Sequence, residues 1–135
     1  MVAALAGLVR ASGRGLPERL EPIDLALTAV ATHKLSRLLA KGAVTSWLRA
    51  PFTQFDGPSG AAEIAEQVRG DGARHAVGEL LTCPFCLSQW IATGLVFGLV
   101  LAPRPTRLVA GLFSALSGAD FLQFAYALAQ QRAES

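Results

Sequence analysis

From Leu80 to Pro103 the chain reads LLTCPFCLSQWIATGLVFGLVLAP and carries no charge. A membrane-crossing helix needs roughly 20 mostly apolar residues, and Leu87–Ala102 with the turn before it supplies them. The polar members Ser88, Gln89 and Thr93 lie near the beginning, and Trp90 stands where an interfacial anchor belongs. A buried helix of a soluble domain is the alternative that the same length allows. A second apolar stretch follows Ala102-Pro103-Arg104-Pro105-Thr106-Arg107, whose prolines stop and restart helices and whose arginines stay in water. Leu108–Gln131 is then uncharged except for Asp120. So short a connection makes the two helices antiparallel neighbours. Gly94 with Gly98, Gly111 with Ala115 and Ser114 with Gly118 give the small-xxx-small spacing that lets helices approach closely in lipid.

A third segment, Ile23–Ala40, reads IDLALTAVATHKLSRLLA. Its apolar run Leu25–Thr32 is too short to span alone. It becomes a tilted span if His33, Lys34 and Arg37 lie toward one end and snorkel to the interface. A helix lying on the membrane would show the same basic face of Lys34, Arg37 and Lys41. The pattern thus predicts an all-α integral membrane protein with about three transmembrane helices, near 22–40, 83–102 and 107–130. A polar loop with short helices, read at Ala61–Arg69 and Arg74–Leu81, separates the first two. Pro51, Gly57-Pro58 and Gly70-Asp71-Gly72 punctuate it as turns. Residues 1–21 read as a flexible tail, 22–130 as one membrane domain and 131–135 as a short polar tail. Val2–Val9 resembles a signal-peptide core, but its positive charges follow it and no A-x-A site is evident, so a cleaved signal is not expected. Counting Lys and Arg beside the spans tilts the central loop toward the cytoplasm of a multi-pass protein of the cell membrane.

Composition sharpens this picture. At 135 residues, the chain is 52% hydrophobic and only 16% charged, against about 25% charged in an average soluble domain. That excludes intrinsic disorder, and two cysteines exclude a disulfide-stapled miniprotein. A net charge of +2 with scattered Lys and Arg leaves no nucleic-acid footprint. No G-x-S-x-G, phosphate loop, H-E-x-x-H or carboxylate dyad is present, so hydrolase and nucleotide chemistry lack a foothold. The expected partners are the lipid bilayer and either a second copy or another membrane protein, with no catalytic cofactor.

The candidate chemistry lies in Thr82-Cys83-Pro84-Phe85-Cys86. If Pro84 begins the helix, Cys83 caps it and Cys86 sits one turn inside on the same face, where free N–H groups and the helix dipole favour a Cys83 thiolate. Three readings stand side by side. Cys83 attacks and Cys86 resolves in thiol–disulfide exchange at the membrane surface, although no thioredoxin-like strand precedes them. Alternatively Cys83 and Cys86 hold zinc, completed by His33 and His75 within the chain or by a second copy. The third reading is purely structural. Asp120 is either an intramembrane acid paired with Arg37 or His33, or the cap of a helix restarting after a break at Ser117-Gly118-Ala119-Asp120. Ser46–Phe52 could lie at the interface through Trp47 and Phe52, or form a docking surface. Glu79 is placed to pair with Arg74 or His75.

Two blocks carry a resemblance. One is Ala31-Thr32-His33-Lys34-Leu35-Ser36-Arg37-Leu38 followed by Thr45-Ser46-Trp47-Leu48-Arg49-Ala50-Pro51-Phe52; the other is Gly78-Glu79-Leu80-Leu81-Thr82-Cys83-Pro84-Phe85-Cys86, then Trp90. Over roughly Ile23 to Ala129 they resemble the bacterial domain-of-unknown-function family numbered 1360, small membrane proteins of bacilli and actinobacteria. The richness in Ala, Arg and Gly is similar to the actinobacterial branch. The resemblance implies a helical fold and a membrane location, and no reaction. Family members commonly carry an aspartate shortly after the first helix, where Gly42 stands here; if that acid supports a site, for instance by pairing with Arg37 or Arg49, this chain has lost it. Function therefore reads as a non-enzymatic membrane component acting through helix–helix or protein–protein contacts. The alternative is a thiol–disulfide oxidoreductase or metal-binding protein built on Cys83 and Cys86.

Overall fold

The structure, a computed structural model, describes residues 20–134 together with 3, 6, 7, 10, 11 and 13. The reading of the amino-terminal tail, and of its not being a cleaved signal, falls largely outside the described residues. Helix α1 (Pro22–Lys41) is followed by a 3-10 turn (Ala43–Thr45) and the one-turn helix α2 (Ser46–Arg49). Strands β1 (Thr53–Gly60) and β2 (Glu63–Val68) form a hairpin, and α3 (Ala73–Thr82), α4 (Pro84–Leu101) and α5 (Pro103–Ala133) complete the chain. Two compact units divide it: one holds the chain through Lys34 and from Leu95 onward, the other Leu35–Gly94.

Among the described residues, α4 and α5 are the helices long and apolar enough to cross a membrane. The expected third span is not upheld, because α1 carries Asp24, Lys34, Arg37 and Lys41 within 20 residues. Nor does α5 break at Ser117-Gly118-Ala119-Asp120: it is helical without interruption as far as Ala133, into the segment read as a polar tail. Ala102 (φ −145°, ψ 69°) is the single residue between α4 and α5, and Pro103 restarts the helix behind it. The turn brings Thr106 so close to Gly98 that a Cβ there would overlap its hydroxyl. At Gly94, Gly111 and Gly118 a Cβ would meet nothing within 4 Å, so the small-residue spacing marks one close approach and three open positions.

Helix α1 packs on α5 through polar and small side chains. Asp24 accepts two hydrogen bonds from Arg107, at 2.9 and 2.7 Å. The Ser114 hydroxyl donates to the Leu27 carbonyl at 3.0 Å, and Lys34 pairs with Asp120. Because the partner numbers rise together, the two helices run parallel. The interior holds Ala31, Thr28, Thr32, Ala110 and Ser117, with Leu95 and Leu99 from α4. Leu108, Phe121, Leu122, Phe124, Tyr126 and Leu128 point outward.

The second unit corrects the all-α expectation. Residues read as a helix over Ala61–Arg69 form β2, antiparallel to β1 with Thr53 opposite Val68 and Gly60 opposite Glu63. Ala62 at the tip takes a left-handed φ of 58°, and its carbonyl accepts from the Ala43 N–H at 3.0 Å. Gly70 and Gly72, both at positive φ, turn the chain into α3, which covers the helix expected at Arg74–Leu81.

Candidate functional site

Arg49 organises the second unit. Its side chain is 1% exposed and pairs with the nearly buried Glu66 of β2, with Nε to Oε2 at 2.6 Å. The remaining donors reach the Leu39 and Gly42 carbonyls and the Thr45 hydroxyl. A buried guanidinium is tolerable only when paired and hydrogen-bonded, and here it ties the end of α1, the 3-10 turn and β2 together. Two more arginines hold the loop that follows: Arg69 donates to the Ala50 carbonyl at 3.0 Å and Arg74 Nε to the Pro51 carbonyl at 3.0 Å. The Phe52 carbonyl takes the Arg69 N–H. The Arg-Ala-Pro-Phe block is thus a clasp whose carbonyls are all engaged. Sequence reasoning missed it by reading Trp47 and Phe52 as the informative residues; Trp47 is 70% exposed. The available signal was an arginine between two hydrophobic residues, with Glu63 and Glu66 downstream.

Arg37 lies on the same unit and makes a two-pronged pair with Glu63, at 3.0 and 2.7 Å. Arg37 and Arg49 thus find their carboxylates on β2, in Glu63 and Glu66. A Cβ on Gly42 would run into the Leu38 carbonyl. Asp120, in turn, meets Lys34, while Arg37 is taken by Glu63.

The cysteines sit where α3 gives way to α4. Cys83 ends α3 in extended conformation (φ −98°, ψ 107°) and Pro84 opens α4, which meets the condition set on the sequence. Cys86 N–H donates to Cys83 Sγ at 3.3 Å. Both thiols are free; Cys83 is half-buried and Cys86 exposed. Hydrogen bonds from the Cys86 thiol and then from the Cys86 N–H hold the Cys83 thiol below the ordinary range; the Phe85 N–H and the Lys41 charge add to this against the effect of burial. His75 bonds Glu79 instead, at 3.4 Å, and His33 belongs to the other unit. Among the described residues no three His, Cys, Asp or Glu side chains gather closely enough to hold a metal ion. Zinc at Cys83 and Cys86 would need ligands from elsewhere.

These features define a small, mostly helical protein with two apolar helices and an arginine-held hairpin. The chain belongs to the family described as Protein of unknown function (DUF1360), whose model matches residues 27–126. It is similar to Sporulation protein YjcA of Bacillus subtilis (strain 168), with 27% identity over 88 residues, 63% of this chain and 75% of that protein. No solved structure matches it.

Proposed function

We propose that the chain is a small membrane component that works by contact with a second copy or another membrane protein, with α4 and α5 in lipid. The observation that carries this reading is the inverted packing of the first unit. Ala, Thr and Ser fill the α1–α5 contact while Leu108, Phe121, Leu122 and Phe124 face out. In water the hydrophobic effect would draw the large apolar residues inward. In lipid they lose nothing by facing outward, and close backbone packing drives association. Helix α1 lies along α5 and leans on it, since Asp24 and Lys34 are each neutralised by a charge of α5. Lys41, Arg49, Arg69 and Arg74 lie in the central segment against Arg104 and Arg107 at the α4–α5 turn, a bias that favours a cytoplasmic central segment. Gly94, Gly111 and Gly118 are the open small positions through which a partner helix would approach.

The test is fractionation of the full chain, followed by its native mass in mild detergent. The protein should stay in membranes through alkaline carbonate and migrate above its monomer mass. Gly111→Leu with Gly118→Leu should return it to monomer. Recovery as a compact monomer from a high-speed supernatant without detergent would defeat the reading, and a wild-type monomer in detergent would defeat its contact half.

A further inference from the structure

We propose that Cys83 and Cys86 form a reversible dithiol–disulfide pair that exchanges with low-molecular-weight disulfides of the glutathione type. Geometry carries this. The two residues are a turn apart at the start of α4, with Cys83 half-buried and Cys86 exposed, at the end of the helix that the proposed membrane reading leaves at the water interface. The Cys86 N–H at 3.3 Å fixes the Cys83 sulfur over the first turn, on the Cys86 side.

Helical residues three apart hold their Cβ atoms about 5–6 Å from each other, and a disulfide wants about 3.8 Å. The missing distance can come from Cys83, whose φ and ψ are extended and whose one tie to α4 through the backbone carbonyl is the Leu87 N–H at 3.1 Å, so closing the bond disturbs the first turn of α4 at most. Pro84, which has no N–H to lose, fixes the start of the helix between them. The lowered Cys83 thiol matches the role of attacking sulfur.

The exchange balances in two steps. Cys83 thiolate attacks one sulfur of the small disulfide, forming a mixed disulfide and expelling one thiolate. Cys86, losing its proton to water, then attacks the Cys83 sulfur, forms the Cys83–Cys86 bond and expels the second thiolate. Two protein thiols are oxidised and one disulfide is reduced to two thiols.

The probe is oxidised glutathione added to the full chain in native membranes, with intact mass and thiol counting after quenching. Wild type should lose both thiols together, gain no lasting adduct and recover both with dithiothreitol. Cys86→Ser should trap glutathione on Cys83, while Cys83→Ser should react on the order of tenfold more slowly. A lasting glutathione adduct on wild type, or equal rates for the two variants, would overturn the proposal. The wild-type mass alone decides whether the internal bond forms, independently of how either variant folds.

Discussion

A guanidinium has five N–H donors and no acceptor, and four hydrogen bonds place those of Arg49 on Glu66, two carbonyls and a hydroxyl. Removing the side chain leaves the nearly buried Glu66 carboxylate without its cation, held only by the Thr53 hydroxyl at 3.2 Å. Arg49→Ala should therefore destabilise the second unit by about 3–5 kcal/mol, read as a lower denaturant midpoint in detergent. Arg49→Met with Glu66→Met should lose far less, because both charges leave together. If the double variant is no better than Arg49→Ala, the clasp is not electrostatic. Cys83 offers a second test. The hydrogen bonds that lower its pKa let the thiolate survive to lower pH than that of a free cysteine, so its alkylation rate should reach half-maximum at a lower pH than that of a free cysteine measured beside it. Cys86→Ala deletes the leading donor, and the midpoint should move up; an unmoved midpoint would mean that Cys86 has no hold on it.

Between elements, glycines decide how closely backbones meet. A Cβ on Gly78 would overlap Val68 Cγ1 and come within 3.1 Å of the Phe52 carbonyl, so α3 can lie on the hairpin only without one. Gly78→Ala should cost about 1–3 kcal/mol, with Val68→Ala restoring part of it. Gly94→Ala meets open space and should be neutral or stabilise α4 by up to about 1 kcal/mol, whereas Gly98→Ala collides with Thr106 and should destabilise. Thermal melts of the three variants separate the cases. The same contrast explains what the sequence disclosed. Helices α4 and α5 were legible because an uncharged run and flanking prolines are local signals, as were the Gly70 and Gly72 turn and the placement of Cys83 against Pro84. The hairpin was not: Ala61-Ala62-Glu63-Ile64-Ala65-Glu66 is good helix material. It becomes a strand because Arg37 and Arg49 capture Glu63 and Glu66, a tertiary demand that no local window contains. Arg49 was passed over within a segment read through Trp47 and Phe52 for the same reason, since its partners lie on both sides of it in sequence.

For the molecule as a whole, the Lys34–Asp120 pair is the sensitive point. Asp120 sits mid-way along the most apolar part of α5, and an unpaired acid at the centre of a span costs about 2.5–3.5 kcal/mol. Lys34→Met should lower the yield of membrane-inserted protein and its thermal stability, and Asp120→Asn on that background should recover most of both. No recovery would mean that the lysine acts by packing alone. The joint between α4 and α5 has a consequence for biosynthesis. One residue, Ala102, gives no slack, so with both helices in lipid as proposed neither would change its depth in a bilayer without carrying the other along. On that reading the insertion machinery would release the pair as one bent object, after the ribosome had made both arms. A spacer of several glycines after Ala102 would let each arm enter on its own schedule.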